Sequence, residues 1–317
     1  AGAMTYTIGN VLDVLPTLDA GRFQCCVTSP PYWGLRDYGH DDQLGLEPTP
    51  AEYVANMVRV FAEVRRVLRD DGVLWLNVGD SYAGSWKNQG RSEERGGQRP
   101  VNGPMMQKFD GHPAPDSNAG VVPEGCKPKD LVGIPWLLAF ALRADGWYLR
   151  SDTIWSKPNP MPESVTDRPT KAHEYVFLMS KSATYYYDAE AIAEPVTRGT
   201  AGSTFTGGKT AASGLGRVSD LPRDESDTRN ARSVWTIASQ PFAGAHFATM
   251  PPKLAERCIL AGSRIGDEVL DPFLGSGTVG MVAEALGRRW HGVELNPKYE
   301  EIIRQRTAQQ GLFGRTP

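Results

Sequence analysis

A short apolar run near the start of the chain ends in a serine, two prolines and two aromatic residues. These residues are, in order, Ser29, Pro30, Pro31, Tyr32 and Trp33. Each proline fixes its own φ and pushes the residue before it toward extended torsions, so the corner is rigid. A rigid corner can aim the Ser29 hydroxyl and the Pro30 carbonyl at one point, where an exocyclic amino group would donate two hydrogen bonds. Acceptors at that point would stabilise the positive charge that develops on an attacking nitrogen.

A glycine-rich turn near the other end of the chain predicts a second part of the same site. The stretch EVLDPFLGSGTVGMVAEALG has the pattern of a strand, an acid, a tight turn and a helix. Gly275 and Gly277 let the backbone approach a ligand closely, and the following helix offers free N–H groups. Asp271 can hold an ammonium group, and Glu294, which ends the next predicted strand, can accept from both hydroxyls of a ribose.

The letters of this turn leave more than one ligand open. GSGTVG matches the GxGxxG pattern of dinucleotide-binding proteins, whereas no GxxxxGK[ST] stretch for a triphosphate is present. A carboxylate at Asp271 would repel a pyrophosphate, but it suits the amino-acid end of S-adenosylmethionine. The sequence therefore predicts S-adenosylmethionine as the cofactor.

Several segments together resemble the amino-methylating DNA methyltransferases, in the β-type order in which the catalytic motif precedes the cofactor motif. They are TSPPYW, IWSKPNPMP with RPTKAHEYVF, HFATMPPKLAERCI, LDPFLGSGT and GVELN. The resemblance covers most of the chain, from Thr5 to about Gln310. It implies methyl transfer from S-adenosylmethionine to the exocyclic amino group of a base that has left the DNA duplex.

The resemblance also implies roles for individual residues. The implied cofactor contacts are Asp271, Phe273, Gly275, Ser276, Gly277, Thr278, Glu294, His246 and, in IGNVLDVLPTL, Asn10. The implied DNA contacts are Trp33, Lys157, Asn159, Arg168, His173, Arg229 and Arg232. Tyr32 is expected to stack on the target base, a contact worth about 1–3 kcal/mol in single-stranded nucleic-acid sites. Relatives carry Asp where this chain has Asn10, and an amide there still offers an acceptor and adds a donor.

The identity of the methylated atom is only partly indicated. Ser29, in place of the Asp of DPPY relatives, favours cytosine N4 over adenine N6, although both amines satisfy the same two acceptors. A catalytically silent DNA-binding homologue and an enzyme for RNA or protein amides are the alternatives. The intact Ser29, Asp271 and Glu294 favour an active enzyme, and the motif order favours DNA. Methylation at carbon 5 of cytosine needs a thiolate, typically in a Pro-Cys dipeptide, and the sequence contains none.

The composition limits the partners and the location. Lys and Arg number 34 against 37 Asp and Glu, so the net charge is −3 over 317 residues and any DNA-binding surface must be local. The 4 cysteines show no CxxC spacing, which indicates neither a zinc site nor a disulfide framework. No membrane-spanning run or signal peptide is recognisable, which predicts a cytoplasmic protein. DNA is the expected partner, and a restriction endonuclease of the same system is a further candidate.

The elements that must position these residues alternate between strand and helix. Strands are predicted at Phe23 to Thr28 and from Val73, with a helix between them that Asp70-Asp71-Gly72 ends. Toward the C-terminus follow helix PKLAERCILAG, strand DEVLDPF, helix GTVGMVAEALG, strand RWHGVEL and helix PKYEEIIRQRTAQQ. This alternation predicts a three-layer, Rossmann-like α/β fold with a mostly parallel twisted sheet, and the resemblance implies the class I methyltransferase fold in permuted order. One domain over residues 4–317 is expected, with irregular target-recognition insertions at 83–129 and 197–232.

Overall fold

A computed structural model describes residues 5–34, 42–84, 122–195, 228–240 and 250–310 of the chain. In chain order the elements are β1 (Thr5–Ile8), α1 (Val11–Val14), β2 (Phe23–Thr28), α2 (Pro50–Val67), β3 (Leu68–Val78), α3 (Ile134–Ala144), β4 (Tyr148–Ser156), β5 (His173–Ser180), β6 (Glu194–Pro195), β7 (Thr228–Arg229), β8 (Val234–Thr236), α4 (Pro252–Gly262), β9 (Glu268–Asp271), α5 (Thr278–Ala285), β10 (Arg289–Glu294) and α6 (Glu300–Gln310). Most of the two predicted insertions, namely residues 85–121 of the first and 197–227 of the second, lies outside the described residues.

Eight strands form one sheet in the order β1-β10-β9-β2-β3-β5-β4-β8, and β6 pairs with β7 separately. Every neighbouring pair in this sheet is parallel except the two that β5 makes, with β3 and with β4. The helices α2 and α3 pack on one face, and α4 and α5 pack on the other. The predicted three-layer α/β fold with a mostly parallel sheet is therefore confirmed.

The strand β2 lies in the middle of the sheet, and its side chains alternate between the two apolar layers. Cys26 packs with α2 and α3, whereas Cys25 packs with α4 and α5. Both residues are fully buried, and burial raises the pKa of each thiol. Both side chains therefore stay protonated and serve as small apolar residues of the core.

The helix α2 begins at a capping box and ends earlier than expected. Thr49 and Glu52 form a capping box at its start, with Pro50 in the first turn. Its end at Val67 is followed directly by β3, so the prediction that Asp70-Asp71-Gly72 ends the helix is wrong. The pairing of β2 with β3 shifts register at this point, because the turn-forming residues make a bulge inside the strand.

The topology opens a crevice between β2 and β9. The chain leaves β9 through α5 to β10 on one side, and leaves β2 through α2 to β3 on the other. Ligands of doubly wound sheets bind at such a switch point, beyond the carboxyl ends of the strands. Cys26 pairs with Leu270 in parallel register, so the two strands end side by side. Among the described residues, no helix is both long and apolar enough to cross a membrane.

Candidate active site

The proline corner and the glycine turn meet at the ends of β2 and β9. The Thr28 hydroxyl, immediately before Ser29, donates to Asp271 Oδ1 at 2.7 Å, although the two residues are 243 positions apart. The Phe273 backbone N–H donates to the same oxygen at 3.1 Å. The two halves of the site that the sequence predicts therefore lie next to each other, joined by a buried hydrogen bond.

An open cleft lies over this junction. The predicted site residues that line it are Asn10, Ser29, Pro31, Asp271, Phe273, Gly275, Ser276, Thr278 and Glu294. Met250, from the segment HFATMPPKLAERCI, also lines it, and so do Asp42 and Leu44, which belong to none of the predicted motifs. The cleft is mostly apolar with a few acidic groups, which is typical of a site for a small ligand.

Asp271 is a buried carboxyl group at the floor of the cleft. Burial is the main reason that its pKa is raised to about 7, and the negative charge of Glu294 adds to this, while the bonds from Thr28 and Phe273 act in the opposite direction. Among the described residues both hydrogen bonds to Asp271 end on Oδ1, which leaves Oδ2 for a ligand. A cationic ligand group would favour the ionised carboxylate and supply the charge partner that none of the described residues provides.

Glu294 is held beside the glycine turn by two backbone donors. Gly275 N–H donates to Glu294 Oε2 and Asn296 N–H donates to Oε1, both at 2.8 Å. Each carboxylate oxygen keeps a second lone pair, so the group can still accept from a pair of hydroxyls. The turn itself needs glycine, because Gly275 and Gly277 have φ values of 54° and 83°.

The hydroxyls of Ser276 and Thr278 are turned toward the C-terminal helix. Arg306 Nη1, on α6, donates to the Thr278 hydroxyl at 3.1 Å and to both the carbonyl and the hydroxyl of Ser276. Arg306 thereby ties α6 to the glycine turn. Sequence reasoning missed this residue, since nothing in the pattern of the last helix distinguishes it from an exposed arginine.

Asn10 lies at the cleft, but its acceptor is already engaged. Its side-chain Oδ1 caps α1 by accepting from the Leu12 N–H at 2.9 Å. The amide NH2 group and the second lone pair of Oδ1 can still face a ligand, so the capping bond uses only part of the capacity that the sequence suggested.

Tyr32 is held behind Ser29 by contacts with residues that lie outside the SPPYW motif. Its hydroxyl donates to Glu174 Oε2 at 2.7 Å. Its ring lies against Gly79, where an added Cβ would come within 2.6 Å of a ring carbon. Glu174 belongs to the segment RPTKAHEYVF, which the resemblance implies to lie beside the base pocket or the DNA backbone. Gly79 was missed by sequence reasoning, and its only sequence signal is that it directly follows a predicted strand beside the crevice.

Trp33 does not lie on a DNA-binding surface, so that prediction is wrong. Its side chain is only 4% exposed and packs in the core with α2 and α3. The indole N–H donates to the Glu47 carbonyl at 2.8 Å. The Trp33 indole therefore points into the core and stabilises the proline corner there.

The other predicted DNA contacts have protein partners. Lys157 pairs with Glu174, Arg168 pairs with Glu163, and the Asn159 amide joins its loop to Ser239. Arg229 and Arg232 both contact Glu194. His173 is exposed and makes an edge contact with Tyr175. The predicted cofactor residue His246 lies outside the described residues.

A family model described as a DNA methylase matches residues 23–305. The chain belongs to this DNA methylase family. The type II methyltransferase M.Cfr9I of Citrobacter freundii is 47% identical over 295 residues, which cover 93% of this chain and 84% of that protein. M.SmaI of Serratia marcescens, also a type II methyltransferase, is 44% identical over 299 residues, with coverages of 94% and 89%.

Solved structures agree with the fold of this DNA methylase. The PvuII DNA methyltransferase (cytosine-N4-specific) superposes with a TM-score of 0.62 at 19% identity, over 96% of this chain and 87% of that one. A putative DNA modification methylase from Thermus thermophilus, solved in complex with S-adenosyl-L-methionine, superposes with a TM-score of 0.57 at 23% identity, with coverages of 97% and 94%. The class I methyltransferase fold implied by the sequence is thereby confirmed.

The predicted class of enzyme is confirmed as well. The protein is an S-adenosylmethionine-dependent DNA methyltransferase of the amino-methylating family. The chemistry of the cleft fits this cofactor, because a buried carboxylate with one open oxygen suits the ammonium group and a fixed glutamate suits the ribose.

Replacement of Arg306 by methionine is expected to raise the dissociation constant for S-adenosylmethionine about 3- to 10-fold, since roughly 1 kcal/mol of hydrogen bonding to the glycine turn is lost. Isothermal titration calorimetry measures this. Arg304→Met is the matched control, because Arg304 lies on the same helix, is 60% exposed and pairs only with Glu301 among the described residues. Equal affinities of the two variants would show that α6 does not shape the turn.

Proposed function

We propose that this enzyme methylates N4 of cytosine at a specific DNA sequence, after the base has left the duplex, and that Ser29 and Pro30 hold its amino group. The observation that carries the proposal is the hydrogen bond from Thr28 to Asp271. It puts the residue before Ser29 in contact with the acid expected to bind the cofactor. A base and a cofactor held at these two points would share one cleft.

The chain contributes to the reaction mainly through position and hydrogen bonding. The cofactor supplies a methyl group on a positively charged sulfur. Ser29 Oγ and the Pro30 carbonyl accept the two amino hydrogens, which draws the nitrogen away from planarity and stabilises its developing positive charge. As the N–C bond forms, the C–S bond breaks and its electron pair stays on sulfur. One amino proton then leaves for water, so no strong base is needed.

The residues around the cleft divide between the two ligands. Asp271 takes the ammonium group, Glu294 takes the ribose hydroxyls, and the amide donor of Asn10 faces the adenine region. Phe273, Gly275 and Gly277 shape the turn around these groups. Tyr32, whose ring rests on Gly79, offers a rigid face on which the extruded base stacks.

Ser29 is the main support for cytosine. Relatives with Asp at this position form the DPPY group, whereas this chain has SPPY. The PvuII enzyme, which has the same fold, is described as cytosine-N4-specific. Adenine N6 would present the same pair of donors, and the identity of the methylated nucleoside distinguishes the two bases.

Mass spectrometry of nucleosides would identify the methylated base. Unmethylated plasmid DNA is incubated with the enzyme and S-adenosylmethionine, digested to nucleosides and compared with a sample treated with Ser29→Ala. We expect N4-methyldeoxycytidine in the first sample only. N6-methyldeoxyadenosine would overturn the choice of cytosine, and the absence of any methylated nucleoside would overturn the activity.

The DNA-binding surface is proposed to lie around the two insertions. Arg229, Arg232 and Arg257 share the single carboxylate of Glu194, which leaves an excess of positive charge. Arg229 and Arg232 are 43% and 69% exposed, so they can still contact phosphates. Arg168 and His173 remain candidates beside the base pocket, and base recognition is assigned to the insertions at 83–129 and 197–232.

A restriction endonuclease with the same recognition sequence is proposed as the functional counterpart. The two relatives described above are both type II methyltransferases, and their bacterial origin favours action on DNA in the cytoplasm. Purified enzyme should make plasmid DNA resistant to one endonuclease among a panel with different recognition sequences. Protection against none of them, despite incorporated methyl groups, would count against such a counterpart.

A further inference from the structure

A directional chain of hydrogen bonds runs from Ser29 into the protein. The Ser29 hydroxyl donates to the Tyr32 hydroxyl at 3.3 Å. The Tyr32 hydroxyl in turn donates to Glu174 Oε2 at 2.7 Å and, less closely, to Asn77 Oδ1 at 3.3 Å. Glu174 lies on β5, 142 positions from Tyr32 along the chain. The chain of bonds therefore begins at the proposed acceptor of the target amine and ends on a carboxylate.

The direction of this chain follows from what each group can do. A carboxylate only accepts, and Glu174 has its Oε1 paired with Lys157 and its Oε2 bound by the Asn77 amide N–H at 3.0 Å. Both carboxylate oxygens of Glu174 are thus engaged by donors, in a site where the side chain is only 15% exposed. Burial, and then the nearby Glu174 charge, raise the pKa of Tyr32 well above its usual value, so the phenol keeps its proton.

This order of donors decides how Ser29 meets its substrate. The single Tyr32 proton is engaged by Glu174, so the Tyr32 oxygen is left to accept from Ser29. The single Ser29 proton therefore points away from the cleft, and the serine lone pairs remain for an incoming amine. If Tyr32 donated to Ser29 instead, the Ser29 proton would point into the cleft. It would then face the amino hydrogens of the substrate, and no hydrogen bond could form between the two donors.

We propose that Glu174 is a positioning residue for methyl transfer: acting through the Tyr32 hydroxyl, it keeps the Ser29 oxygen an acceptor of the target amino group. This inference rests on the proposed role of Ser29. The inference assigns different roles to the ring and the hydroxyl of Tyr32. The ring stacks on the base, and the hydroxyl links Glu174 to Ser29 by hydrogen bonds.

A double-mutant cycle tests the link. Wild type, Tyr32→Phe, Glu174→Gln and the double variant are compared in single-turnover transfer of tritiated methyl groups to saturating DNA. Tyr32→Phe keeps the ring on Gly79 and removes the hydroxyl. We expect each single variant to transfer about 10-fold more slowly, as for the loss of one oriented hydrogen bond. The double variant should be no slower than either single variant, because both changes break the same chain.

Two binding measurements separate this role from a structural one. Calorimetric affinity for S-adenosylmethionine, and affinity for DNA in the presence of S-adenosylhomocysteine, should stay near wild type in all variants. Tyr186→Phe is the matched control, because its hydroxyl contacts only Asp188 among the described hydrogen bonds, away from the cleft. Its rate should equal that of wild type.

The outcomes are distinguishable. Multiplicative losses in the double variant would overturn the inference, since Glu174 would then act without the Tyr32 hydroxyl. If Glu174→Gln does not fold, Tyr32→Phe carries the test alone, and an unchanged transfer rate overturns the inference. If wild type itself transfers no methyl group to DNA, the proposed function fails, whatever the variants do.

Discussion

Replacement of Ser29 by alanine is expected to slow methyl transfer about 10²- to 10³-fold, the range seen when one preorganised polar group is removed from an active site. The variant leaves the Pro30 carbonyl as the remaining acceptor. The amino nitrogen is then drawn less far from planarity, and its developing positive charge is less well stabilised. The hydrogen bond between Thr28 and Asp271 does not involve the Ser29 side chain and should persist. The affinity for S-adenosylmethionine should therefore stay close to that of wild type.

Single-turnover transfer of tritiated methyl groups and calorimetry give these two quantities separately. Ser182→Ala is the matched control, because the Ser182 hydroxyl donates to the Asp70 carbonyl near the ends of β3 and β5 that lie opposite the cleft. Its rate and cofactor affinity should both match wild type. A Ser29→Ala enzyme that loses cofactor affinity as much as transfer rate would contradict the assignment of Ser29 to the amine.

Replacement of Asp271 by asparagine is expected to have the complementary effect. An amide oxygen can still accept from Thr28 and Phe273, so the local fold is retained, but the negative charge is lost. The dissociation constant for S-adenosylmethionine should rise about 10- to 100-fold, as expected for a charged hydrogen bond worth roughly 1.5–3 kcal/mol. The rate of transfer at saturating cofactor should change much less.

Asp267→Asn is the matched control, because Asp267 lies just before the other end of β9 and pairs with Arg69. Calorimetry on both variants and wild type measures the difference. Equal affinities of the Asp267 and Asp271 variants for S-adenosylmethionine would show that Asp271 does not bind the cofactor. A large loss of transfer rate at saturating cofactor would instead indicate that Asp271 acts in the methyl-transfer step.

The raised pKa of Asp271, about 7, predicts a dependence on pH. The unfolded chain releases this proton near pH 4, whereas the folded protein holds it to about pH 7. Between these values the folded state binds more protons, so the contribution of Asp271 to stability falls as pH rises. Cofactor affinity should show the reverse trend and increase toward pH 7 and above, because the ammonium group prefers the carboxylate. Asp271→Asn should flatten both trends in melting and calorimetric series, and an unchanged slope would contradict the assignment.

The sequence by itself determined the elements and the two halves of the site. An unbroken apolar run punctuated by Gly and Pro is a local signal, and it predicts β2 at Phe23–Thr28 with the observed bounds. The helical stretch PKLAERCILAG likewise predicts α4 at Pro252–Gly262. The positive φ of Gly275 and Gly277 can likewise be predicted locally, because glycine is the residue that adopts it most readily. The motif order and the identities of Ser29 and Asp271 were sufficient to predict the family.

Only the tertiary structure decided which side chains support these halves. Trp33 turned out to be a core anchor, and the apparent turn at Asp70-Asp71-Gly72 became a bulge, because pairing with β2 continues past it. Glu174 and Arg306 reach their partners across distant parts of the chain, and such contacts have no period or spacing in the sequence. Strand and helix signals depend on neighbouring residues, whereas the direction of a hydrogen bond and the burial of a charge depend on which strand ends come together.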